Sequence, residues 1–132
     1  VVTRRVKNLL IIIELMQIQI TGRGMELTDA IKDYAEKKIS GLEKFYSRII
    51  RATVEVGVES HHHQKGDIFI CECKLEIPGK DLFAKKTEDT LYKAIDKVRD
   101  YLESELKKHK AKTETKAKKD KQAVRESKEY SV

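Results

Sequence analysis

The stretch Thr87 to Lys112, TEDTLYKAIDKVRDYLESELKKHKAK, constrains this chain more than any other segment. Leu91, Ile95, Val98, Leu102 and Leu106 recur at helical spacing, which predicts an amphipathic helix that must bury one face. Thr87 is a candidate cap, and Glu88 and Asp89 place negative charge at the positive end of the helix dipole. A second stripe, Lys97, Tyr101, Ser104 and Lys108, runs beside the apolar one. Past Lys107 acids thin out and lysines dominate, with Lys110 and Lys112 extending the basic end. One face of the helix packs, and one end suits phosphate.

The residues upstream supply a surface for that helix to cover. Met16, Ile18 and Ile20 alternate with Gln17, Gln19 and Thr21, a strand pattern broken by Gly22-Arg23-Gly24. Thr28 is a good N-cap for a helix reaching about Tyr46. Its buried stripe is Ile31, Ala35, Ile39, Leu42 and Phe45 or Tyr46. In 50–59, Ala52, Val54, Val56 and Val58 share one face of a half-buried strand. In 67–77, Phe69, Cys71, Cys73, Leu75 and Ile77 do the same. Pro78-Gly79-Lys80-Asp81 reads as a turn, and 82–86 as a short last strand. The order β-α-β-β-β-α predicts an α+β fold in two layers, a four-stranded mixed sheet with both helices on one face. The first two strands run parallel through a crossover, and the others form antiparallel hairpins.

A length of 132 residues suits one domain with a modest core. The net charge of +6 is unevenly spread. Residues 107–132 hold 10 Lys and Arg against 4 Asp and Glu, which is +6; residues 16–106 hold 15 against 17, which is −2. A nearly neutral body binds a polyanion only if its charges are sorted onto separate faces.

The ends read differently from the middle. Residues 1–15 carry Arg4, Arg5 and Lys7 before a short apolar run that Glu14 follows, with no cleavage site. That run is far below the roughly 20 apolar residues of a membrane helix. They are expected to be an N-terminal extension, non-native and from an upstream start, either disordered or lengthening the first strand. Residues 112–132 are polar and lysine-rich, predicting a fraying helix and then a basic flexible tail or the start of a linker.

Catalytic and metal chemistry find little support. No Gly-rich phosphate loop, nucleophile elbow or HExxH occurs, so the chain reads as non-enzymatic, with no cofactor. His61-His62-His63 lie in a polar connection, and consecutive residues do not converge on one metal; no metal site is assigned. Cys71 and Cys73, at i and i+2 of a strand, point the same way and read as a buried reduced pair. The basic residues Lys37, Lys38 and Lys44 on the first helix, and Lys97, Lys107, Lys108 and Lys110 on the second, have two readings. They are solvated lysines of a charge-rich chain, or a surface made by the outer rims of two neighbouring helices. The second suits structured RNA held by shape and phosphate rather than by base edges.

Two runs carry a family resemblance. One is Leu91-Tyr92-Lys93-Ala94-Ile95-Asp96 with the later Lys107-Lys108-His109-Lys110. The other is Ile18-Gln19-Ile20-Thr21-Gly22, then Glu26-Leu27-Thr28-Asp29-Ala30-Ile31, Lys38-Ile39 and Leu42-Glu43-Lys44-Phe45. Together, from Met16 to Lys112, they resemble the bacterial ribosome hibernation-promoting factors. That family includes the ribosome-associated inhibitor protein Y, formerly described as a sigma-54 modulation protein. The resemblance implies a fold whose last five elements are like a double-stranded-RNA-binding domain, occupying residues 16–111. It implies binding to 16S rRNA of the small ribosomal subunit, in the mRNA and tRNA channel, with basic side chains from both helices on phosphates. Translation would thereby be inhibited in stress or stationary phase, in the cytoplasm, with no membrane and no small-molecule substrate.

Lys38, Lys44 and Lys108 match the family's basic positions. Gly41, Tyr101 and Ser104 stand where relatives usually place lysine or arginine; Lys37, Lys97 and Lys107 are candidates to compensate, and Tyr101 to stack on a base or sugar. Thr90 stands where the family has Asp before the Leu-Tyr pair. Longer members add a dimerising second domain beyond this region. The competing readings are a general double-stranded-RNA-binding module and a protein-interaction regulator using the Glu-rich sheet face.

Overall fold

A computed structural model describes residues 16–60 and 66–129. The expectations for residues 1–15 and for His61-His62-His63 lie outside those residues. The element order is β1 (Gln17–Arg23), α1 (Asp29–Ser40), a 3-10 turn (Gly41–Lys44), β2 (Arg51–Ser60), β3 (Ile68–Ile77), β4 (Lys80–Glu88) and α2 (Leu91–Glu129). The strands lie in the order β1-β2-β3-β4. β1 pairs parallel with β2, and the other two pairings are antiparallel. This is the predicted α+β architecture.

Alternation along the strands places the core. Ala52, Val54 and Val56 of β2, Cys71, Cys73, Leu75 and Ile77 of β3, and Leu82 and Ala84 of β4 are buried on one face. The helices cover that face with Ile31, Ala35 and Ile39 from α1 and Leu91, Ile95, Val98, Leu102 and Leu106 from α2. Burying one such aliphatic side chain contributes about 1.5–3 kcal/mol, which is what holds the two layers together. Val58 is only half-buried, and Ile70 is buried although its register sets it beside Gly57 on the other face. Gly57 has a packing reason: a Cβ there would overlap the backbone of Arg23 on β1.

Several boundaries differ from the sequence reading. α1 stops at Ser40 rather than continuing to Tyr46, and Gly41, a poor helix former, opens a tighter turn. β4 runs over Lys80–Glu88 because β3 offers pairing partners from Ile77 back to Phe69. Thr87 therefore lies in the strand, and Thr90 caps α2, its hydroxyl accepting from the Lys93 amide at 3.2 Å. The largest difference is in α2, which does not fray near Lys112 but runs for 39 residues to Glu129. No Gly or Pro occurs after Gly79, and Lys, Ala, Glu and Gln favour continuation.

Cys71 and Cys73 are buried free thiols, as the strand spacing suggested. Burial pushes both up to about 12, Cys71 with smaller contributions from Cys73 and Glu72.

Candidate nucleic-acid interface

α1 and α2 meet along a polar seam above the core. The Tyr34 hydroxyl donates to Asp96 Oδ1 at 2.6 Å, and Lys38 Nζ lies 3.7 Å from the same carboxylate. Tyr92 meets the Tyr34 ring edge-on, with centroids 4.8 Å apart, and Lys38 lies over that ring. The hydrogen bond to Asp96, then burial, then the nearby carboxylate charge push the Tyr34 phenol up to about 12. Lys38 thus faces Asp96 across the seam while its side chain stays partly exposed.

Further along the seam, the cations open towards solvent. Phe45 is packed against the core, with Arg99 5.6 Å and Lys107 4.9 Å from its ring centroid. Beyond it lies a concavity lined by Glu43, Lys44, Phe45, Tyr46, Arg48 and Lys110, with Ser47 on its wall. His109 closes on Tyr46 edge-on. Lys44 and Lys110, remote in sequence, therefore share one site. Neither forms an ion pair with another described residue, and the same holds for exposed Lys37 on α1.

The other predicted residues lie on the opposite flank of α2, beside β4. Lys97 pairs with Glu88, which holds that carboxyl below the usual range. Lys86 lies 4.7 Å from the centroid of the exposed Tyr101 ring. Lys108 is exposed and pairs with Glu105 at 3.5 Å. At 3.6 residues per turn, Asp100 and Ser104 occupy the crest between the two flanks. The anticipated single surface is in fact two cationic flanks. One holds Lys44, Lys107 and Lys110, the other Lys97, Tyr101 and Lys108. Exposed ion pairs of this kind are weak and screened by solvent, so a phosphate can displace the acid.

Arg48, Lys86 and Arg99 escaped the sequence reading. Arg99 could have been found, because it precedes Lys107 by eight residues and so shares its side of the helix. Arg48 and Lys86 follow no helical period, and only the tertiary fold brings them to α2. Among the described residues no three or more His, Cys, Asp or Glu side chains could hold a metal ion, and no helix is long and apolar enough to cross a membrane.

Residues 18–114 match the family model for sigma 54 modulation protein / S30EA ribosomal protein. The chain belongs to this family. Among S30EA relatives, the ribosome hibernation promoting factor of Azotobacter vinelandii is 36% identical over 97 residues, covering 74% of this chain and 85% of its own. The factor of the same name from Escherichia coli K12 is 32% identical over 97 residues, covering 74% and 96%. The ribosome hibernation promotion factor of Deinococcus radiodurans is 34% identical over 96 residues, which span 72% of this chain and only 50% of that protein. The protein Y N-terminal domain of Thermus thermophilus superposes with a TM-score of 0.60 at 29% identity, covering 72% of this chain and 98% of that one. A ribosomal subunit interface protein from Coxiella burnetii gives 0.62 at 26%, covering 73% and 99%. The matched region takes in the sheet from Ile18 onward, α1, and α2 as far as Glu114.

Proposed function

We propose that this chain is a ribosome hibernation factor acting on the small subunit. It binds 16S rRNA phosphates in the channel for mRNA and tRNA and excludes both sterically, without a catalytic step. Membership of the S30EA family and the names of its relatives support the ribosome as partner. The observation that carries the RNA surface is the convergence of Lys44, Arg48 and Lys110 around one concavity at the end of the helix layer. Phe45 and Tyr46 give that concavity a firm aromatic wall. Cations on such a wall release counterions when they meet phosphates, so affinity falls steeply with salt. Action in the cytoplasm, on idle ribosomes in stress or stationary phase, follows from this partner.

Charge reversal tests the assignment at solvent-facing positions. Lys38 is unsuitable, because a glutamate there would face Asp96. The triple variant Lys44→Glu, Arg48→Glu, Lys110→Glu should keep its melting transition and lose co-sedimentation with isolated small subunits. Undiminished sedimentation of that folded variant would rule out this surface.

A further inference from the structure

Among the side chains of α2 that are described, the last buried one is Leu106, yet the helix continues to Glu129. At 1.5 Å per residue, the remaining 23 residues form an arm about 35 Å long, and none of its described side chains is buried. The arm carries ten Lys and Arg against four Asp and Glu. Before the arm Lys38, Lys74, Lys85, Lys93 and Lys97 pair with acids, and at its root so do Lys107 and Lys108. On the arm, Lys112, Lys116, Lys118, Lys119 and Lys121 pair with no described residue.

Their arrangement is not random. Lys108, Lys112 and Lys116 follow one another at i, i+4 and Lys119 comes three residues later, all on one side of the helix. Ala111 and Thr115 floor a shallow groove that Lys112, Lys116 and Lys119 wall. The Thr115 hydroxyl is turned onto its own helix, donating to the Ala111 carbonyl at 2.8 Å. This row continues the flank of Lys97, Tyr101 and Lys108, so one cationic track runs from the domain along the arm. Lys108, Lys112 and Lys116 stand about 6 Å apart along the axis, close to the step between consecutive phosphates of a strand, and Lys119 follows about 4.5 Å on. Like charges at i, i+4 repel one another, and a polyanion in the groove relieves that repulsion.

We infer that this arm is a second RNA-binding segment, whose Lys112, Lys116 and Lys119 hold the phosphate backbone of RNA beside that held by the domain. The inference rests on reading the domain as an RNA-binding factor. The alternatives fit the arm less well. A membrane-surface helix needs an apolar face, and Val124 is the one large apolar side chain past Leu106 among the described residues. A protein partner needs buried aromatic or aliphatic anchors, which the arm lacks.

The test uses the full chain, with two probes measured against salt: isolated small subunits and a free RNA duplex of two helical turns. Lys112→Gln, Lys116→Gln, Lys119→Gln keeps good helix formers and removes the track. Its plot of log affinity against log salt on the duplex should be shallower by about 2–3, since each phosphate left unneutralised lowers the slope by roughly 0.7–0.9. Thr115→Pro keeps every charge but breaks the arm and with it the alignment of the lysines, and should weaken duplex binding. An unchanged slope in the glutamine variant, or wild-type affinity in the proline variant, would overturn the track. So would equal binding of the wild type to anionic phospholipid vesicles. If the wild type binds duplex through the arm but never binds small subunits, the ribosomal reading fails and the arm stands.

Discussion

Gly41 shows how one residue can be functionally thin yet structurally free. It has right-handed helical backbone angles, φ −62 and ψ −17, and a Cβ there would meet nothing within 4 Å. The fold therefore does not require glycine at a position where the family resemblance implies a basic residue. Gly41→Lys should stabilise the chain by about 0.5–1 kcal/mol through the unfolded state. It should also steepen the salt dependence of small-subunit binding by about 1; denaturant melts and binding isotherms check the two halves separately. The buried thiols make a different residue-scale prediction. Their folded values, about 12, exceed the ordinary 9.0, so folding excludes the thiolate. Their contribution is complete below about pH 9 and is lost as pH rises towards 12. Chemical unfolding across that window should show falling stability. The variant Cys71→Ala, Cys73→Ala, less stable throughout, should show a flatter alkaline limb.

At the scale of elements, the seam between α1 and α2 sets the spacing of the cations. Tyr34→Phe removes the hydrogen bond to Asp96 while keeping the ring against Tyr92. It should cost about 1 kcal/mol in thermal or denaturant unfolding, with small-subunit binding weakened only slightly. An unchanged midpoint would mean the bond is replaced by water. The elements themselves were legible in the sequence because each signal was local. Alternation in 50–59 and 67–77 gave the core strands, and Leu91, Ile95, Val98, Leu102 and Leu106 are all buried as their period required. The ends were less legible because competing local signals decided them. Thr87 and Thr90 are both plausible caps, and only the pairing of Thr87 with Ile70 shows that the strand claims it. Beyond Lys112, polarity predicted fraying, whereas helix propensity and the lack of any breaker carry α2 to Glu129.

At the scale of the whole molecule, the excess charge lies on α2, not on the sheet. The open sheet face is internally balanced: Arg23 and Lys85 share Glu72, and Lys74 meets Glu76 and Asp81. Few cations there remain for a polyanion, so binding is directed to the helix side. The site was only partly legible for a tertiary reason. A helical ladder shows which lysines share a flank of α2, but which flank faces α1 depends on packing, and Arg48 enters through a loop. Co-sedimentation of the full chain with isolated small subunits, across salt and with excess duplex RNA as competitor, tests the central claim most directly. Saturable binding near one protein per subunit, resistant to the duplex and lost at high salt, is the expected result. Binding erased by any duplex, or no binding at low salt, would contradict it.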